Sequence, residues 1–493
     1  MYPVLHTIRR PMLAGWFSHL AHHKLCLLLC RTYTSRNILK LRERGLWADR
    51  FPDSNTNKLL EELTRRPQTM YSGFDPTADS LHVGNLLVLM ALLHCQRAGH
   101  NVIALIGGAT AQVGDPSGKS SERPLLDTDV VIDNADKISK NIYQIFDNHQ
   151  QFFWDRGNDQ QLPPLRIENN LHWYRRLNVV DFLRVAGRNL RMGDMLSRTS
   201  VKSRLNSAEG LSFTEFSYQA LQAYDWLYLY DKYNCTIQIG GNDQMGNIYS
   251  GHQLIYRVNN ASVTGFTIPL ITNEIGDKFG KSAGNPVWLD SSKTSPFDLY
   301  QFFVRLKDSE VEKYLLLFTF LPIKDIKSIM EKHWQCSMLP SGDRQVPNSQ
   351  PHISSKPESR HAQLKLAEKV TLLVHGEEGL ESAHRTTEAL FGNQPEALAK
   401  MSTNEIEVVF KSAPSTSLLL EPGTSVLTMA LKAGCFADER DARRIIEAGG
   451  FYINLARVNN PDLILIPGAH ILSNGLTVAR VGKKNYYLIK WLM

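Results

Sequence analysis

Three polar side chains on one helical segment pose the chemical question. From Ser212 to about Lys232 the sequence is rich in Phe, Leu and Trp, and Ser212 with Glu215 forms a capping-box pattern that opens a helix. At 100° per residue, Tyr218, Gln222 and Asp225 of that helix share an arc of about 60°. Such groups are costly to bury unless a polar partner meets them. The stripe either faces water or grips a polar ligand, and this helix alone leaves both readings open.

Three further segments carry chemistry-bearing residues. Asp75-Pro76-Thr77-Ala78-Asp79-Ser80-Leu81-His82-Val83-Gly84-Asn85 precedes an apolar run, which sets His82 and Gly84 at a helix N-terminus. Free N–H groups and the positive dipole end attract anions there, and a glycine lets a phosphate or flat ring approach the backbone. A capped helix with a structural histidine would look the same. The stretch Gly107-Gly108 through Gly114-Asp115-Pro116-Ser117-Gly118-Lys119-Ser120 invites a P-loop reading. It fails by one residue: position 113, where the first glycine is required, is Val. Lys278-Phe279-Gly280-Lys281-Ser282 sets two lysines around a glycine, which suits a polyphosphate leaving group; on its own it is an ordinary surface turn.

The elements that hold these segments read as an α/β fold. Thr69 to Phe74 is a strand, Leu86 to Ala98 an apolar helix, and Asn101 to Ile106 a continuous apolar run expected of a buried parallel strand. In such sheets ligands sit beyond the carboxyl ends of the strands. That points to Asp75–Asn85 and Gly107–Arg123. Residues 135–153 and 172–192 read as helices, and Thr236 to Ile239 as another buried strand before Gly240-Gly241. A basic stretch, Arg188, Arg191, Arg198, Lys202 and Arg204, reads as a solvated or phosphate-facing surface. From Pro296 to about Lys411 the pattern is helical, interrupted at 340–359 by four prolines among polar residues, a flexible-loop composition. Residues 412–423 read as a linker, and 424–493 as a small α+β unit.

Composition removes several classes. The chain has 493 residues, 43% hydrophobic and 21% charged, so it is neither disordered nor fibrous. No apolar run is long enough to span a bilayer. The net charge of +6 is an N-terminal effect. Residues 1–42 hold seven Lys or Arg and no acid, which leaves the remainder at −1. An acid-free start rich in Arg, His and Leu fits an organelle transit peptide, with a disordered basic tail as the other reading. Six scattered cysteines form no CxxC pair, so no disulfide framework or zinc site is expected.

Together and in this order the motifs resemble class I aminoacyl-tRNA synthetases, and closely the bacterial and mitochondrial type of tyrosyl-tRNA synthetase. The likeness runs from about Leu59 to Lys490, with 340–359 as an insertion. Its most specific stretches are Tyr71–Leu86, Gly107–Arg123, Phe213–Asp225, Gln238–Asn247 and Lys278–Ser282. Two positions depart from the family pattern. Asn85 stands where His is usual, and can still donate a hydrogen bond. Met245 stands where Trp is usual, and keeps bulk without the indole N–H.

The resemblance implies a Rossmann-like parallel-sheet catalytic domain at 37–295 after a mitochondrial transit peptide at 1–36. A helical anticodon-binding domain at 296–411 and a small ribosomal-protein-type RNA-binding domain at 424–493 would follow. The last would use the helix Asp438–Glu447, with Arg443 and Arg444, and the strand Phe451–Asn454. The implied reaction joins L-tyrosine to ATP as tyrosyl-adenylate, releases pyrophosphate, and passes tyrosine to the 3′ end of a mitochondrial tRNA(Tyr) in the matrix. Tyr71 and Asp225 would take the phenolic hydroxyl. Asp115, Tyr218 and Gln222 would hold the ammonium group, with Gln244 near the carboxylate. Asp75, Gly84, Asn85, Gly241 and Asp243 would line ATP. Thr77, His82, Lys119, Arg123, Lys278 and Lys281 would act on its phosphates. The resemblance also implies a homodimer, Mg2+ arriving with ATP, no metal site of the protein's own, no tightly bound cofactor and no membrane. The competing reading is an RNA-binding protein that keeps the fold without the catalysis.

Overall fold

Six short segments pair into one sheet in the computed structural model, which describes residues 36–54, 56–117, 121–154, 161–271, 281–282, 285–337, 360–391, 398, 401–410, 413–482 and 485–492. The strands are β1 (Asp49–Phe51), β2 (Thr69–Phe74), β3 (Asn101–Ile106), β4 (Arg166–Asn169), β5 (Cys235–Gly241) and β6 (Thr264–Ile268). Their spatial order is β1-β6-β5-β2-β3-β4. Neighbours run parallel except β1, which is antiparallel to β6. After β2 the chain adds β3 and β4 on one side, then crosses to β5 on the other. The order reverses at β2, which opens a crevice at the carboxyl ends of β2 and β5.

The chain divides into two compact units. The first comprises residues through Thr77, Val88–Ala135 and Gly157–Leu270, and holds this sheet; the second comprises Ala78–Leu87, Asp136–Arg156 and Ile271 onward. Helix α1 (Val83–Arg97) joins β2 to β3, and α2 (Thr128–Phe152) follows the loop after β3. Helix α3 (Phe213–Tyr233) begins with the expected capping box: the Ser212 hydroxyl accepts from the Glu215 N–H, and the Glu215 carboxylate accepts from the Ser212 N–H. Helix α4 (Met245–Asn259) follows β5. Tyr71, Trp173, Trp226, Ile248 and Leu254 are among the buried residues of the core around α3.

Two expectations change in this unit. Residues 172–192 are not one helix. They split into Leu171–Tyr174, Val179–Phe182 and a wide turn at Leu183–Gly187, because the Asn178 side chain accepts from the Asp181 N–H and caps a fresh start. The basic stretch is also not one surface. Arg204 is 1% exposed and pairs with buried Glu215 at 2.9 Å.

The second unit contains α5 (Pro296–Val304), α6 (Asp308–Phe318), α7 (Ile323–Ser337) and α8 (His361–Phe391), the last broken at Gly376. Its five-stranded sheet comprises β7 (Ser415–Leu419), β8 (Phe451–Ile453), β9 (Ala456–Val458), β10 (Leu476–Val481) and β11 (Asn485–Leu492), in the order β9-β8-β10-β11-β7. Helices α9 (Val426–Lys432) and α10 (Glu439–Glu447) pack on it around Phe451, Ile446 and Met429. The stretch expected to be a linker therefore contains a strand. β7 pairs in parallel with β11, a partner about seventy residues away that local composition does not reveal. Ile406 and Phe410 pack with Leu476, Val478 and Leu488, so this sheet is continuous with the last helical turns before it.

Candidate active site

Asp225 lies at the bottom of the crevice, on the α3 stripe, and is 2% exposed. Its Oδ1 accepts from the Trp173 indole N–H at 2.9 Å and its Oδ2 from the Asn170 amide at 3.0 Å. Burial pushes its carboxyl up to about 7, against the pull of these neutral donors. Tyr71 projects from β2 with 1% exposure, and its hydroxyl has no hydrogen-bond partner among the described residues. Burial, and then the charge of Asp225, raise that phenol well above its ordinary range. An acceptor and an orphaned hydroxyl are thus buried close together.

A chain of hydrogen bonds leads from this point to the mouth of the sheet. The second N–H of Asn170 donates to Thr110 Oγ1 at 3.0 Å, and Thr110 Oγ1 donates to Asp75 Oδ1 at 2.7 Å. Asp75 Oδ2 accepts from the Tyr218 hydroxyl at 2.8 Å. Gly107 makes room for this junction, since a Cβ there would lie 1.9 Å from Asp75 Oδ1 and 2.4 Å from Thr110 Oγ1. Burial raises the Asp75 carboxyl to about 6. Hydrogen bonds from Thr110 and Tyr218 pull it down, Asp115 pushes it up, and the Arg123 charge pulls it down. Asp115 is 8% exposed; it accepts from the Ser117 N–H at 2.9 Å and from the Gln244 amide at 2.6 Å. Burial and the nearby Asp75, Asp115 and Asp225 raise the Tyr218 phenol well above its ordinary range. A cluster of carboxylates around one hydroxyl is suited to an ammonium group.

The remaining expected residues divide by place. In the first unit Gln222 is half-buried on α3, and Thr77 closes a tight turn through its N–H to the Asp75 carbonyl at 2.8 Å. Gly241 ends β5 and Asp243 follows it; a Cβ on Gly241 would lie 2.5 Å from Asp243 Oδ1. Arg123 is half-buried with its Nε unpartnered among the described residues. His82, Gly84 and Asn85 belong to the second unit, at the start of α1. There the Asn85 side-chain oxygen accepts from the His82 N–H at 3.1 Å, so Asn85 serves as a local cap. Lys119 and Lys278 lie outside the described residues, as does the side chain of Lys281. No group of three His, Cys, Asp or Glu able to hold a metal occurs among the described residues.

Three residues of the network escape sequence reasoning: Thr110, Asn170 and Trp173. Asn170 and Trp173 follow β4, a four-residue edge strand carrying Arg166 and Glu168. Charges on an edge strand hide it among loops. The short segment Leu165–Asn170, ending in two asparagines near the aromatic Trp173, is the signal that could have located them.

Residues 63–392 match the family model of tRNA synthetases class I (W and Y). The chain belongs to that family. Residues 405–489 of this synthetase match a second model, the Tyrosine–tRNA ligase SYY-like C-terminal domain. The mitochondrial tyrosine–tRNA ligase of Drosophila melanogaster is 51% identical over 94% of this chain and 96% of its own length. The human mitochondrial enzyme is 49% identical over 92% of this chain and 91% of its own length. Among solved structures, a C-terminally truncated mitochondrial tyrosyl-tRNA synthetase of Aspergillus nidulans is 32% identical. It superposes with a TM-score of 0.61, covering 72% of this chain and 94% of that one.

Proposed function

We propose that this synthetase is a mitochondrial tyrosine–tRNA ligase. The observation that carries the reading is the pair at the bottom of the crevice: a buried carboxylate acceptor, Asp225, and the buried, unpartnered hydroxyl of Tyr71. A phenolic hydroxyl can donate to the first and accept from the second. Phenylalanine would leave both unmet, at a cost of roughly 1–3 kcal/mol per buried group; this enzyme family is the usual illustration of such rejection.

With the ring so held, the ammonium group lies towards Tyr218, Asp115 and Gln222, and the carboxylate towards Gln244. That carboxylate attacks the α-phosphorus of ATP and pyrophosphate leaves. No protein nucleophile is needed. Rate comes from positioning and from stabilising the leaving charge. Asp75, Gly84, Asn85, Gly241 and Asp243 line the nucleotide in this reading. Thr77, His82, Lys119, Arg123, Lys278 and Lys281 take the phosphates, with Mg2+ entering alongside ATP. A hydroxyl of the 3′-terminal ribose of tRNA(Tyr) then attacks the acyl carbon of the adenylate, forming the ester and releasing AMP.

The rest of the chain serves that reaction. Residues 1–36 direct import to the matrix, and the domain built on α9, α10 and the five-stranded sheet holds RNA. Val179, Val180, Leu183 and Met192, and Phe213 at the start of α3, expose apolar side chains in the first unit, which supports a homodimer interface. Tyrosine-dependent ATP–pyrophosphate exchange tests the reading. An RNA-binding descendant without catalysis would show none.

A further inference from the structure

We propose that Thr110 is a specificity-positioning residue: without touching the substrate, it holds the Asn170 amide squarely against Asp225, and so keeps the bottom of the crevice selective for a hydroxyl. The inference rests on the functional reading above and deepens it.

The argument follows the direction of each hydrogen bond. Thr110 is 3% exposed, on the turn Thr110–Gln112 just after β3. A threonine hydroxyl has one hydrogen to give. Ionised Asp75 can only accept, so that hydrogen goes to Asp75 Oδ1, at 2.7 Å. The Thr110 oxygen must then act as acceptor towards Asn170 Nδ2 at 3.0 Å. Asn170 is fully buried. Its Oδ1 is occupied by the Ala109 N–H at 2.7 Å, so both amide hydrogens are committed, one to Thr110 and one to Asp225 Oδ2 at 3.0 Å.

The consequence reaches the substrate hydroxyl. Asp225 receives a donor from Asn170 and another from Trp173, which favours its ionised, acceptor-only form. A phenol must then donate to it. If the Thr110 oxygen is lost, one Asn170 hydrogen is left buried without a partner. Anchored at Oδ1 by the Ala109 N–H, the amide tilts to recover one, and its bond to Asp225 is weakened. The carboxylate then loses orientation and part of the support for its charge. Tyrosine, which needs a fixed acceptor, suffers; phenylalanine, which makes no such bond, gains nothing from the acceptor and loses less.

The test uses the full-length chain in pyrophosphate exchange, with kcat/KM measured separately for tyrosine and phenylalanine. Thr110→Val keeps the size and removes the oxygen. It should lower the tyrosine-to-phenylalanine ratio roughly threefold to tenfold, the worth of one neutral hydrogen bond. The change in the ratio should fall mainly on the KM for tyrosine; any rise in the KM for ATP, from the donor that Asp75 loses, should be the same with either amino acid. Thr110→Ser, which keeps the oxygen, should hold the ratio. Thr110→Ala repeats the test without a misfitting methyl if the valine variant does not fold. Equal losses for both amino acids, an unchanged ratio, or a serine variant as unselective as the valine one would each overturn the inference. Wild-type enzyme that does not exchange with tyrosine would instead overturn the functional reading, and this inference with it.

Discussion

The hydroxyl of Tyr218 donates to Oδ2 of Asp75 at 2.8 Å, across a sequence separation of 143 residues. One residue belongs to α3 and the other follows β2. This bond ties the polar stripe of the helix to the carboxyl end of the sheet. It also joins two residues that the family resemblance assigns to different substrates, Tyr218 to the amino acid and Asp75 to ATP.

Replacing Tyr218 by Phe should therefore disturb the sites of both substrates. The variant loses the hydroxyl and leaves Asp75 with one donor fewer. A hydrogen bond to a charged group is worth roughly 1.5–3 kcal/mol. We expect the KM for tyrosine to rise and kcat/KM to fall by about tenfold or more. Steady-state exchange kinetics read both.

Asp225→Ala should weaken tyrosine activation much more than phenylalanine activation. The lost charge-assisted bond corresponds to about ten- to over a hundredfold. Phenylalanine never made that bond, and the mutation removes an acceptor that opposed it. Thermal stability must be measured alongside. A folded variant that keeps full discrimination would mean that Asp225 is not the hydroxyl acceptor.

Two raised carboxyls give a pH signature in which binding and stability run in opposite directions. Asp75 is raised to about 6 and Asp225 to about 7. Tyrosine activation needs both ionised, Asp225 for the phenolic hydroxyl and Asp75 on the ATP side, so kcat/KM for tyrosine should rise from pH 5.5 to pH 8. Folded-state values above the unfolded ones mean that the native state binds more protons between them. The stability contributed by these groups is thus present at low pH and lost as pH rises through about 6 to 7. The slope of Tm against pH in the tyrosine-free enzyme should become less negative in Asp225→Asn. A variant with the wild-type slope would show that Asp225 does not titrate in that window.

Truncation should separate the two half-reactions, provided the cut respects the packing. β7 pairs with β11, and Phe410 packs against Leu488, so a chain ending at 423 keeps a strand and a core side chain without partners. A chain ending after Phe391 should be better behaved, keep most adenylate formation and lose tRNA charging. Charging by that variant at the full-length rate would show that the C-terminal domain makes no productive RNA contact.

Removing residues 1–36 should leave exchange activity intact and abolish uptake by isolated mitochondria. Continued uptake would point to a targeting signal elsewhere in the chain.

Much of this site was legible because its elements obey local rules. β2 and β3 read correctly to the residue, β3 from its apolar run and β2 as the short strand opening a βαβ unit, and α3 from its capping box and mixed stripe. Their periodicities fix which side chains share a face. The bottom of the crevice was not legible. Asn170 and Trp173 reach Asp225 only because β4 joins the sheet edge beside β3, a pairing that four residues with two charges do not announce. Arg204 likewise reads as one more surface cation until its partner Glu215, eleven residues on, is brought against it. In each case the missing information was a pairing between separate elements, which no pattern within one element encodes.

The pair Arg204–Glu215 bears on the accuracy of the whole site. Glu215 stands one turn before Tyr218 on α3, and its carboxylate is held both by Arg204 and by the Ser212 N–H. A helix seated only by apolar side chains can roll about its axis at little cost. A roll of 20° carries a side-chain tip about 2 Å around a helix of 10–12 Å overall diameter, more than a hydrogen bond tolerates. Glu215 is an index pin against that roll. The angular setting of Tyr218, Gln222 and Asp225 is fixed by a residue that never meets either substrate.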